Sequence, residues 1–143
     1  MRLFSLTLAF ALCGLVATAQ EEDQKALPFA EVDQKPIYPG CDGETTEEAR
    51  WNCTNRSIQQ FIAQNLVYPA EAKKDKLQGK VFVSMVISET GNVEDVQIHR
   101  GVHPSLDQAA MDVVRKLPKI RPALKDGRTV RVQYTVPIDF RLK

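Results

Sequence analysis

Few residues in this chain could do chemistry. The two histidines are His99 and His103. Their i, i+4 spacing resembles a metal pair on one face of a helix. His99, however, closes a strand-like run and His103 lies in the loop Gly101-Val102-His103-Pro104. No cysteine or paired carboxylate stands beside them, so no metal site is expected. No glycine-rich phosphate loop appears, and no serine occupies a strand-turn-helix elbow. The residues therefore point to binding rather than catalysis, with no cofactor.

The cysteines remain. Cys13 falls in an apolar run that follows Arg2 and ends at the small-x-small triplet Ala17-Thr18-Ala19. That is the layout of a secretory signal peptide over residues 1–19, with Gln20 first in the mature chain. An uncleaved anchor is the alternative, but a span needs about 20 apolar residues and this run is shorter. A lipoprotein signal at Cys13-Gly14 is another, though Leu12 precedes that cysteine where a small residue is wanted. Export leaves Cys41 and Cys53, and an even count in an oxidising compartment favours a disulfide. Closing that loop stabilises by roughly 3 kcal/mol in the chain-entropy model. A redox pair is usually Cys-x-x-Cys, and zinc needs more ligands than these two.

Formal net charge is +1, so nucleic-acid binding has no bulk electrostatic support. The charge is unevenly placed. Residues 20–53 carry three basic side chains against nine acidic, a net of −6; residues 54–143 carry fifteen against nine, a net of +6. Either the acidic leader and the basic domain associate, or each is a solvated surface, or the partner is moderately anionic. Asn52-Cys53-Thr54 and Asn55-Arg56-Ser57 match the glycosylation acceptor pattern, which matters only in a eukaryotic secretory route.

The positioning elements follow from periodicity. Val81, Val83, Met85 and Ile87 share one face of a strand; Glu89-Thr90-Gly91-Asn92 is a turn; Val96 and Ile98 mark a second strand. Together they predict a hairpin. Thr45-x-x-Glu48 reads as a capping box for a short helix to Trp51, and Ser57 with Gln60 as a second box. Ile58, Phe61, Ile62 and Leu66 form the stripe of the helix that follows, ended by Tyr68-Pro69. Ser105-x-x-Gln108 reads as a third box. Leu106, Ala109, Ala110, Val113, Val114 and Leu117 then lie on one face of a helix over 106–117. Finally Val130, Val132, Tyr134, Val136, Ile138, Phe140 and Leu142 alternate with polar residues in a last strand. Pro137 within it cannot donate to a ladder, which places that strand at an edge, open over residues 129–136. A partner strand could add there, unless a leader segment or a second copy of the chain covers the edge. The expected fold is α+β: a three-stranded antiparallel sheet, ordered second, first, last, with helices on one face. The leader over residues 20–35 is expected to be mobile or to lie along the domain.

Tyr68-Pro69, Gly79-Lys80-Val81-Phe82-Val83, Thr90-Gly91-Asn92-Val93, Leu106-Asp107-x-x-Ala110, Pro118 to Pro122-Ala123, Asp126-Gly127-Arg128 and Val136-Pro137-Ile138-Asp139-Phe140 follow one another in that order. This resembles the carboxy-terminal domain of the TonB family, in the versions of Bacteroidetes-type bacteria, over residues 58–142. Tyr38-Pro39-Gly40-Cys41 resembles a segment that precedes it there. The resemblance implies an α-β-β-α-β domain at residues 54–143, in the periplasm. It would bind an outer-membrane TonB-dependent transporter, or another envelope protein, by strand addition. The implied partner-binding residues are Asn65, Tyr68 and Pro69, with Val130, Arg131, Val132, Gln133, Tyr134 and Val136 along the last strand. A TonB-like energy transducer has an anchor and a long spacer; residues 20–38 are short for that, so a stand-alone receptor-binding module is expected. A strand-exchanged homodimer or a fixed envelope subunit is the alternative.

Overall fold

A computed structural model describes residues 25–143, together with Gly14. The signal-peptide reading of residues 1–19, including Cys13, lies outside the described residues.

The centre is a hairpin of β2 (Gly79–Ile87) and β3 (Val93–Arg100). Its turn depends on Gly91, which has φ +87° and whose carbonyl accepts the Ile120 N–H at 3.0 Å. A Cβ there would stand 2.2 Å from the Ile120 carbonyl oxygen, so no side chain fits. The last strand, β6 (Val132–Phe140), pairs antiparallel with β2 from Gly79↔Phe140 to Ile87↔Val132. β2 is thus flanked on both sides, and Val81, Val83, Met85 and Ile87 are buried. The alternation in β6 holds: Val132, Val136, Ile138 and Phe140 face the core.

The helix α3 (Pro104–Arg115) covers the sheet with Leu106, Ala110, Val113 and Val114. Fully burying a Leu or Val side chain is worth about 1.5–3 kcal/mol, and this stripe holds the layers together. Its start differs from the expected box on Ser105. His103 is the N-cap, its Nδ1 accepting the Ser105 N–H at 3.2 Å, and Pro104 opens the helix. The helix α1 (Glu47–Asn65) runs unbroken, where two helices were expected. Thr46, not Thr45, caps it, accepting the Ala49 N–H at 3.1 Å. Ser57 lies mid-helix, so cap-type residues there do not start anything. The boundary drawn after Cys53 therefore falls inside a helix. Ile58 and Ile62 join the core, and α2 (Ala70–Lys74) follows after Pro69.

Two expectations need correction. The sheet has four strands, ordered β1-β6-β2-β3. The extra strand is β1 (Leu27–Pro28) of the leader, lying parallel to β6 with Leu27↔Val132 and Pro28↔Gln133. The alternating run also breaks at Arg131: β5 (Arg128–Val130) leaves the sheet and pairs with β4 (Ala123–Lys125). Of the two placements expected for the leader, it takes the one along the domain. Gln34 and Leu124 exchange both backbone bonds at 3.0 Å, and Ile37 and Arg121 do so at 3.0 and 2.9 Å. Tyr38 N–H donates to the Thr54 hydroxyl, and Cys41 is bonded to Cys53, joining the leader to α1. Backbone pairing dominates this attachment. One ion pair, Asp42–Arg121 at 3.5 Å, is half-exposed and worth little.

Candidate functional site

The candidate site is the margin of β6. In a strand, successive N–H and C=O pairs point to opposite sides. Leu27 N–H donates to the Arg131 carbonyl at 2.9 Å, so the odd-numbered residues present their backbone outward, away from β2. Pro137 shares that parity and opposes Phe82 in the register, so its missing N–H costs the β2–β6 ladder nothing. The Pro137 argument for an edge holds for the second half of β6. There, among the described residues, no backbone pairs with the outward side of Thr135, Pro137 or Asp139. It fails for the first half, because β1 occupies Val132 and Gln133.

The side chains expected to meet a partner divide by environment. Val132 and Val136 are fully buried, with 0% exposure, and cannot offer side chains to anything outside. Val130 is half-buried at the end of β5, opposite Ala123. Arg131 is held across the sheet face, donating to Glu94 at 2.7 Å and to Asp95 at 3.4 Å. The hydrogen bond to Glu94 is the first cause raising its pKa above the ordinary value, so this cation is engaged within the fold. Gln133 is exposed and donates to the Ser84 hydroxyl at 2.9 Å. Tyr134 donates to Asn55 Oδ1 at 3.0 Å, and burial pushes its hydroxyl pKa up.

Tyr134 also belongs to a cluster that sequence reasoning missed. Phe29 of the leader lies 4.6 Å from Trp51 and 5.2 Å from Tyr134, while Trp51 meets Tyr134 edge-on at 5.4 Å. Lys35 Nζ stands 5.7 Å from both the Phe29 and Trp51 rings. Leu27-Pro28-Phe29 was visible as an apolar interruption of a polar leader, and that was the available signal.

The Asn65–Pro69 stretch lies at the other end of β6. Tyr68 packs edge-on against Phe140 at 5.5 Å and donates to the Leu77 carbonyl. From Val132 to Phe140 the strand spans about 27 Å, so Tyr68 and the Arg131–Gln133 backbone do not form one contact point. Asn65 and Pro69 line a groove of about 500 Å³ between the end of α1 and α3, with Ala109 and Val113 on its floor. Beside Tyr68 a second hollow of about 440 Å³ is bounded by Lys73, Arg141 and Leu142. His99 is exposed on β3 and His103 caps α3, so neither meets the other's partners. Among the described residues, no group of three or more His, Cys, Asp or Glu could hold a metal, and no helix is long and apolar enough to cross a membrane.

The site is thus the outward margin of the last strand of a small α+β domain. The chain matches the family model for the Gram-negative bacterial TonB protein carboxy terminus over residues 64–142, and belongs to that family. Its fold is similar to the solution structure of the TonB carboxy-terminal domain of Helicobacter pylori, with a TM-score of 0.51 and 24% identity, covering 73% of this chain and 87% of that one. A shorter form of the same domain gives 0.48 at 25% identity, covering 62% and 92%. The Pseudomonas aeruginosa TonB domain gives 0.44 at 24%, covering 54% and 78%. No curated protein matches the chain.

Proposed function

We propose that this protein is a periplasmic, non-enzymatic binding module that recognises an outer-membrane TonB-dependent transporter, or another envelope component, by taking up a strand beside β6. Family membership supports the class, since domains of this family act in TonB-dependent transport. The observation that carries the strand-addition reading is the outward backbone of β6. Its first residues already receive an extended segment, and from Thr135 onward it has no pairing partner among the described residues. Main-chain hydrogen bonds there would supply affinity that does not depend on the buried side chains of Val132 and Val136. Tyr68 and Pro69, by the Phe140 end, would meet the far end of a long incoming segment.

The test uses synthetic amino-terminal coupling peptides of the host's outer-membrane transporters. Thr135→Pro removes an outward donor that the fold does not use. Binding at least ten-fold weaker than wild type is expected, with an unchanged unfolding midpoint. Equal affinity for both proteins rules out strand addition on this side of β6.

A further inference from the structure

The seat at the start of β6 is taken by the chain itself. Leu27–Pro28 is laid parallel on a strand whose other neighbour is antiparallel. It is two residues long, and Leu27 and Phe29 are only half-buried, outside the fully buried core. Its anchor is a ring: Phe29, two places after the residue that donates to Arg131, slots against Trp51 and Tyr134. Pro28 has no N–H, and its backbone faces away from β6, so that position offers a further strand no donor. Segments with few buried apolar contacts open locally, ahead of the rest of the fold.

We propose that Leu27-Pro28-Phe29 is an internal occupant of the docking margin, and that a partner binds by exchanging with it. This rests on the strand-addition reading. The partner it fits is an extended peptide that presents an apolar residue to the Arg131 carbonyl and an aromatic side chain two places later. The backbone register fixes the first position, and the Trp51–Tyr134 slot fixes the second. The occupant is argued from what sits there: a short, separable segment of this chain already fills both subsites. The complex then differs from the free protein in whose backbone lies beside Arg131 and Gln133.

The probe is a fluorescent peptide with the sequence of residues 25–35. It is titrated into the full chain, its amino terminus as the cell leaves it, in wild-type, Phe29→Ala and Leu27→Pro forms. The second variant removes the N–H given to Arg131. Both variants are expected to bind the peptide at least ten-fold more tightly than wild type, and a peptide carrying Ala in place of Phe should lose that binding. Equal affinity for all three proteins, or no binding to either variant, overturns the proposal. So does a wild-type dimer by light scattering whose leaders are exchanged between copies. Hydrogen exchange on wild type needs no variant to fold: the Leu27 amide should exchange at least 100-fold faster than those of Val83 and Val136, and equal protection also overturns it. Transporter peptides that bind without competition from the leader peptide would leave the proposed function standing and this inference fallen. A leader peptide that exchanges while no transporter peptide binds would do the reverse.

Discussion

The two margins of the central sheet are guarded by different means. The outer side of β3 carries its defence in its own residues. Asp95 sits at φ +48°, the register with β2 shifts beside it, and Glu94, Asp95, His99 and Arg100 line the strand. A bulge and charges make an edge that no other backbone can follow for long. The strand β6 is regular in its pairing with β2, and the start of its outer side, at Val132 and Gln133, is covered instead by a segment from far away in sequence. A built-in irregularity cannot be taken off; a separate segment can. That difference is why β6 rather than β3 is the proposed working edge.

The largest effect that sharpens this contrast comes from the uncovered end of β6. Phe140 is 1% exposed and packs against Tyr68. Phe140→Ala should cost about 3–5 kcal/mol in urea unfolding, from lost burial and the cavity left behind. Leader amides that open locally should keep their exchange rates, because their opening does not pass through global unfolding. If leader protection falls together with the global stability, cover and core are one unit and the contrast breaks.

A smaller effect is expected at β3. Asp95→Val puts a β-branched residue at positive φ and removes a contact of Arg131, costing about 1–3 kcal/mol. If the strand relaxes by flattening its bulge, the edge becomes pairable and light scattering should show self-association. A variant that stays monomeric at full stability would mean the bulge guards nothing.

The smallest effect concerns Tyr134, which the cover shields. Burial raises its hydroxyl pKa above the ordinary 10.0, so the folded chain keeps this proton to higher pH than the unfolded chain. The associated stability is fully present below pH 10 and is lost as pH rises through the raised value. Tyr134→Phe should erase that alkaline loss while costing about 0.5–1.5 kcal/mol at neutral pH for the bond to Asn55. An unchanged alkaline limb would assign the loss to other groups.

Much of the architecture was legible because burial imprints a period on sequence. Val81 to Ile87 on β2, Leu106 to Val114 on α3 and Val132 to Phe140 on β6 each repeat at the spacing their element demands, and the structure buries them accordingly. What was hidden has physical reasons. A two-residue strand such as β1 has no period to detect, and its pairing partner lies a hundred residues away. The break at Arg131 leaves the alternation of Val130 and Val132 intact, so β5 and β6 read as one strand. Thr45 and Ser57 have the chemistry of caps, but packing carries α1 past Ser57, and Thr46 takes the end. The site suffered most, since alternation says which residues face inward and not which backbone is free. Arg131 reads as available in the sequence; Glu94, distant along the chain, already holds it.

The Cys41–Cys53 bond gives the cover a fixed pivot. Only the chain ahead of it can swing away, and the stretch from Leu27 to Cys41, fully extended, reaches about 50 Å at most. A segment on so short a tether stays near its seat at an effective concentration of order millimolar. On the proposed exchange, a visiting peptide would compete with a neighbour that never diffuses off, and the margin would close again as soon as the visitor let go. Repeated engagement then needs no outside agent to reset the molecule.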